Sequence, residues 1–124
     1  MVNTKIIAIA SHKGGVGKTT TAATLGSLLS SQGKKTLLVD LDAQRNLTST
    51  FMGTKFNPEM TLYESMSRKA PLAIYEVRDN LDIVPSSLDM GALDTVIASR
   101  IQRETILRDI LRALKDEYDW ILLD

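Results

Sequence analysis

The chain has 124 residues, 44% hydrophobic and 24% charged, a globular composition of single-domain size. Fifteen Lys and Arg balance fifteen Asp and Glu, so bulk charge gives no attraction to nucleic acid or an anionic membrane surface. There is no cysteine, which excludes disulfides, thiolate metal sites and cysteine-held clusters.

Near the N-terminus the apolar run Ile6 to Ala10 is too short for a signal-peptide core or a membrane span. The Ile-rich stretch "KIIAIA" (Lys5 to Ala10) predicts a strand covered on both faces, as in a parallel sheet. The glycine-rich stretch "SHKGGVGKTTT" (Ser11 to Thr21) follows at once. From Lys18 to about Gln32, Ala22, Leu25, Leu28 and Leu29 recur at helical spacing, and Gly33 is placed to end that helix. "KTLLVDLD" (Lys35 to Asp42) is a second apolar run that closes on acidic residues. Strand, loop, helix and strand in this order open a doubly wound, mainly parallel α/β sheet.

Gln44 to Asn57 reads as a polar loop with a short helix, and Pro58 and Pro71 bracket another short helix, "TLYESMSRK". "LDIVPSS" (Leu81 to Ser87) predicts a third strand stopped by Pro85. One long helix is expected from about Leu88 to Lys115, with Leu93, Val96, Ile97, Ile101, Leu107, Ile110, Leu111 and Leu114 in its apolar stripe. Its Arg100, Arg103, Arg108, Arg112 and Lys115 are interspersed with Glu104, Asp109, Asp116 and Glu117. That mixture reads as a solvated face, with a DNA patch as the sharper alternative. "DWILLD" (Asp119 to Asp124) predicts a fourth strand. An open four-stranded sheet ending there would leave apolar surface uncovered. Residues 1–124 are therefore expected to be the N-terminal part of one domain, truncated after the last strand. The methionines and Trp120 read as packing, and no internal repeat or low-complexity segment is present.

The glycine-rich loop fits G-x-x-x-x-G-K-[ST] at Gly17, Lys18 and Thr19, but His12 stands where the first glycine should be. A strand before it and a helix after it are the context that a phosphate-binding loop requires. Gly14, Gly15 and Gly17 are expected to supply φ > 0 and close approach to phosphate. The amides from Gly14 through Val16 to Thr20 then form an anion-binding concavity at the start of the helix. Lys18 is placed for the β- and γ-phosphates, Thr19 for Mg²⁺ and Thr20 for the α-phosphate. Asp40 and Asp42 are expected on one face at the end of the second strand, beside the loop, where a ligand crevice forms. His12 reads as an ordinary loop side chain.

"KGGVGKTT" resembles the deviant Walker A motif, K-G-G-x-G-K-[ST], of the ParA/MinD family of partitioning and positioning ATPases, in which position 12 need not be glycine. "VDLDAQRN" (Val39 to Asn46) resembles that family's D-x-D-P-Q-x-N segment, with Ala43 in place of the common proline. "NLDIVPSS" resembles its third-strand segment, and "YDWILLD" its Walker B strand, with Asp124 as the acid. The resemblance covers the whole chain, with four motifs in the family's order, and is strongest to small ParA/Soj proteins.

It implies a P-loop NTPase fold, ATP and Mg²⁺ as cofactors, a cytoplasmic location and a homodimer with nucleotide between the subunits. Lys13 would be the signature lysine that reaches across to the partner's phosphates. A cation delivered in trans stabilises charge that accumulates in the transition state, so hydrolysis waits for dimerisation and nucleotide state becomes a switch. Asp42 corresponds to the residue that positions the attacking water. Thr19, Asp40 and Asp124 correspond to the metal shell, Asp124 through water. Asn46 is open between a nucleotide contact across the dimer and a turn residue.

The implied role is chromosome or plasmid segregation by a longer protein, with nonspecific DNA and a stimulator protein as partners. A MinD-type membrane-positioning ATPase would need a C-terminal basic amphipathic helix. An ATP-dependent biosynthetic enzyme sharing the loop is a further alternative. The lack of cysteine disfavours a nitrogenase-type iron protein. Residues 1–124 alone are expected to bind nucleotide weakly and to hydrolyse it negligibly.

Overall fold

Strands β1 (Lys5–Ala8), β2 (Thr36–Val39), β3 (Tyr75–Arg78), β4 (Leu81–Val84) and β5 (Trp120–Leu123) form one sheet in the order β1-β5-β2-β4-β3. This computed structural model describes residues 3–9, 16–93, 97 and 100–124. β1, β5, β2 and β4 run parallel, and β3 pairs antiparallel on the outer side of β4. The helices are α1 (Val16–Ser31), α2 (Asn46–Met52), α3 (Leu62–Ser67) and α4 (Arg100–Ala113), with a 3-10 helix at Leu88–Ala92.

The two faces of the sheet carry separate cores, set by the two-residue period of the strands. On one face Leu38, Leu81, Ile83 and Leu122 pack with Ala22 of α1 and Leu47 of α2. On the other, Leu37, Val39, Val84 and Ile121 pack with Leu62 and Met66 of α3 and with Leu111 of α4. α1 lies so close to the sheet that a Cβ at Gly26 would stand 2.8 Å from Leu38 Cδ2. Gly33, at φ 80°, ends α1, and the Lys34 N–H donates to Leu29 O at 3.0 Å. The left-handed position there favours glycine.

Three expectations change. The sheet has five strands, because Tyr75–Arg78 adds an antiparallel edge strand and turns at Asp79-Asn80, with Asn80 at φ 64°. "LDIV" is therefore the fourth strand and "WILL" the fifth. The expected long helix is not one helix: Leu88–Ala92 is 3-10, Leu88 is 73% exposed, and α4 starts at Arg100. Gly91 inside that 3-10 stretch weakens an α-helix there. Val96 lies outside the described residues. Finally, β1 is not covered on both faces by the described residues. It is an edge strand, and Ile6 is 49% exposed in a groove that Thr4 shares with Leu107 and Leu111 of α4.

Candidate functional site

β5 enters the sheet between β1 and β2, and this insertion assembles the site. The Ile9 N–H donates to Leu123 O at 2.9 Å, the Asp124 N–H to Val39 O at 2.9 Å and the Leu41 N–H to Asp124 O at 2.7 Å. Asp124 is thereby held between the exits of β1 and β2, beside the first turn of α1. There the Thr19 hydroxyl donates to Asp124 Oδ2 at 3.1 Å. Lys18 Nζ stands 3.5 Å from Asp124 Oδ1, with the Lys18 side chain 19% exposed and that of Asp124 wholly buried. Among the described residues, Asp124 Oδ1 has no hydrogen-bond donor. A buried carboxylate oxygen with only an ammonium nearby is suited to a cation.

Gly17 sits in the first turn of α1, and a Cβ there would meet nothing within 4 Å. It is absent from the positive-φ glycines, so the expected φ > 0 is not its reason. No packing contact among the described residues excludes a side chain at that point. Thr20 is exposed on the same turn. Lys13, Gly14 and Gly15, with His12, lie outside the described residues, as does the side chain of Val16.

Asp40 and Asp42 follow the end of β2 and differ sharply. Asp40 is fully buried, whereas Asp42 is partly exposed. β2 ends at Val39, but strand-type backbone bonds run on, from Asp40 N–H to Val84 O at 3.1 Å and Leu41 N–H to Asp124 O at 2.7 Å, and the chain turns only at Ala43-Gln44. Asp40 Oδ2 accepts from the Thr48 N–H at 2.9 Å and from the Thr48 hydroxyl at 2.6 Å, and Oδ1 accepts from the Asp42 N–H at 3.1 Å. Burial pushes the Asp40 carboxyl above its ordinary pKa. The Thr48 and Asp42 hydrogen bonds oppose the rise, and the neighbouring Asp124 charge adds to it. Both Asp40 oxygens are thus engaged by protein donors, which does not favour the expected place in a metal shell. Asp42 Oδ1 accepts only a local contact, from the Gln44 N–H at 3.0 Å.

Arg45 and Ser86 are the residues that sequence reasoning missed. Arg45 occupies the N-cap of α2 at φ 61° and offers no side-chain cap. Its Nε donates to Ser86 O at 3.2 Å, and its guanidinium also donates to Phe56 O. The buried Ser86 hydroxyl donates to Asp42 O at 2.7 Å. Asn46 is the first, exposed residue of α2. The basic side chains of α4 at Arg108 and Arg112, and Lys115 beyond it, are exposed, as a solvated face requires. No group of three or more His, Cys, Asp or Glu suited to a metal occurs among the described residues. No helix among the described residues is long and apolar enough to cross a membrane.

Over residues 4–124 the chain matches the family described as AAA domain. It is 39% identical over 123 residues to the sporulation initiation inhibitor protein Soj of Bacillus subtilis, a match covering 97% of the chain and 49% of that protein. Among solved structures, it superposes on the cobyrinic acid a,c-diamide synthase of Mycobacterium smegmatis with bound ATP analogue and magnesium, with a TM-score of 0.89 and 30% identity. That match covers 98% of the chain and 50% of the synthase. The ATP complex of Cyanothece McdA gives a TM-score of 0.86 at 33% identity, covering all of the chain and 48% of McdA. The chain spans about half the length of the relatives it matches.

Proposed function

Because the chain belongs to the ParA/MinD family of AAA-domain ATPases with the deviant Walker A loop, we propose that it is the nucleotide-binding part of an ATP-dependent partitioning switch. The observation that carries this reading is the meeting of Lys18, Thr19 and Asp124, with the buried Asp124 Oδ1 left without a donor. The first two side chains belong to a phosphate loop and the third to the end of a neighbouring strand, the arrangement that Mg²⁺ and a nucleotide triphosphate need.

In this reading Lys18 moves its ammonium from Asp124 to phosphate. Thr19 and Asp124 would hold Mg²⁺, Asp124 through water. The ion supplies charge stabilisation at the phosphates when it is bound. Asp42, partly exposed after the end of β2, orients the attacking water. Lys13 reaches the phosphates of a second copy, so that turnover follows dimerisation. In its full-length, cytoplasmic form the protein binds DNA nonspecifically and answers to a stimulator protein.

The test is ATP hydrolysis by the full-length protein, with and without DNA, for wild type and Lys13→Ala. Loss of DNA-stimulated turnover with nucleotide binding retained is expected. Unchanged turnover would remove the trans-acting lysine from the mechanism. A second reading, an ATP-dependent biosynthetic enzyme, is favoured by the close superposition on the diamide synthase. Under it, turnover would ignore DNA and answer to a small carboxylic acid substrate.

A further inference from the structure

The hydrogen bonds around Asp42 run through three buried side chains that the proposed chemistry does not use. Asp40, Thr48 and Ser86 are each wholly buried. Asp40 Oδ1 accepts the Asp42 N–H, and Oδ2 accepts both the N–H and the hydroxyl of Thr48. Thr48 Oγ1 accepts in turn from the Ser86 N–H at 3.0 Å. The Ser86 hydroxyl closes the circuit on Asp42 O at 2.7 Å, where the Arg45 N–H also donates at 3.0 Å. The peptide groups on both sides of Asp42 are therefore held, while its carboxylate stays partly exposed.

The same contacts repair a defect of α2. Its N-cap residue, Arg45, is left-handed and supplies no side-chain acceptor. Thr48 is the third residue of the helix, and its N–H finds an acceptor in Asp40, five residues upstream of the cap. One carboxylate thus ties the end of β2, the start of α2 and, through Thr48, the end of β4 to the backbone of Asp42.

We propose that Asp40, Thr48 and Ser86 are positioning residues that set the Asp42 carboxylate for hydrolysis, and that Asp40 is not a metal ligand. This rests on the reading of Asp42 as the water-orienting group. A circuit of donors and acceptors inside a low-dielectric core is sensitive to the loss of one member, because the partners left behind stay buried and unsatisfied. Small displacements of a reacting group cost much rate.

The experiment compares wild type, Thr48→Val, Thr48→Ser, Ser86→Ala, Asp40→Asn and Asp42→Ala in the full-length protein. It reads turnover, ATP affinity, the Mg²⁺ concentration for half-maximal turnover, and hydrogen exchange at the Asp42 amide. Thr48→Val is expected to lower turnover on the order of 10–100-fold and to speed Asp42 amide exchange, with ATP affinity and Mg²⁺ demand unchanged. Thr48→Ser, which keeps the hydroxyl, is expected to restore both. If Thr48→Val does not fold, Ser86→Ala carries the same expectation from the other side of Asp42.

Normal turnover in Thr48→Val and Ser86→Ala, beside a dead Asp42→Ala, would overturn the positioning role and leave the catalytic reading standing. Normal turnover in Asp42→Ala would overturn the catalytic reading and this proposal with it. A raised Mg²⁺ demand in Asp40→Asn would return Asp40 to the metal.

Discussion

Thr19 and Asp124 lie 105 residues apart in sequence, and the hydroxyl of the first donates to the carboxylate of the second at 3.1 Å inside the protein. The contact joins the phosphate-loop helix to the strand between β1 and β2. It makes the site sensitive to the removal of one oxygen. Thr19→Val keeps the shape and deletes the donor, so both Asp124 oxygens would lack a hydrogen bond from the described residues. An unfolding free energy lower by about 1–3 kcal/mol is expected without ligand, read by denaturant titration. The Mg²⁺-dependent part of ATP affinity should vanish as well. Equal ATP affinity gains from Mg²⁺ in variant and wild type would take Thr19 out of the metal set.

The approach of α1 to the sheet predicts a coupled pair. Gly26→Val would drive a side chain into Leu38 Cδ2, which already stands 2.8 Å from a Cβ position. Overpacking of this kind costs about 1–3 kcal/mol. Leu38→Ala alone opens a cavity in a fully buried position at a cost of about 2–5 kcal/mol. The double variant should lose clearly less than the sum, since the cavity accepts the valine. Additive losses in chemical denaturation would mean that the helix moves off the sheet instead.

α3 depends on its first turn. The Thr61 hydroxyl accepts from the Tyr63 N–H at 3.2 Å, and the buried Glu64 accepts the Thr61 N–H at 2.7 Å. Thr61→Ala removes the cap and one donor to Glu64. A loss of about 1 kcal/mol is expected, within the usual range of about 0.5–2 kcal/mol for such caps. Thr61→Ser should recover most of it in the same thermal melts.

Tyr118 gives a pH dependence whose sign is fixed. Its hydroxyl donates to Asp82 Oδ2 at 2.7 Å, and burial, followed by that carboxylate, pushes its pKa well above the ordinary 10.0. In alkali the unfolded chain gives up the tyrosine proton first. The stabilisation is therefore full below the unfolded value and is lost as pH rises through the raised folded value. Tyr118→Phe should cost about 0.5–1.5 kcal/mol at neutral pH through the lost hydrogen bond. It should also flatten the alkaline decline in melting temperature above pH 10. An unchanged slope in the variant would assign that decline to other groups.

Much of this architecture is legible from neighbours in sequence. The Ile-rich and Leu-rich runs mark β1 and β2, Gly33 marks the end of α1, and Thr61 with Glu64 marks the start of α3. The antiparallel strand β3 also has a local signal: "YEVR" alternates apolar and charged residues, and the dipeptide Asp79-Asn80 is suited to a two-residue hairpin turn. The break between Leu88–Ala92 and α4 was harder to see, because the apolar stripe continues through Leu93 and Ile97, which are both buried. Periodicity reports which side faces the core and not whether the backbone runs on unbroken.

By itself the sequence determined the phosphate loop, its flanking strand and helix, and the identity of Lys18, Thr19, Asp42 and Asp124 as site candidates. Residue type and spacing along one segment are enough for that, since local propensity and the strand and helix periods act over a few residues. Only the tertiary structure separated the two acids of the second strand's end. Asp40 and Asp42 look alike two positions apart, yet one is sealed among Thr48 and Asp42 donors and the other is a partly exposed residue. The Asp40 donors lie only two and eight residues on, but the segment that carries them is pinned from far along the chain, by Asp40 N–H to Val84 O, Leu41 N–H to Asp124 O, and Ser86 to Thr48 and Asp42 O, because β5 and β4 flank β2. Hydrogen bonds between such distant segments follow from how the whole sheet closes its polar groups, and no local pattern encodes them.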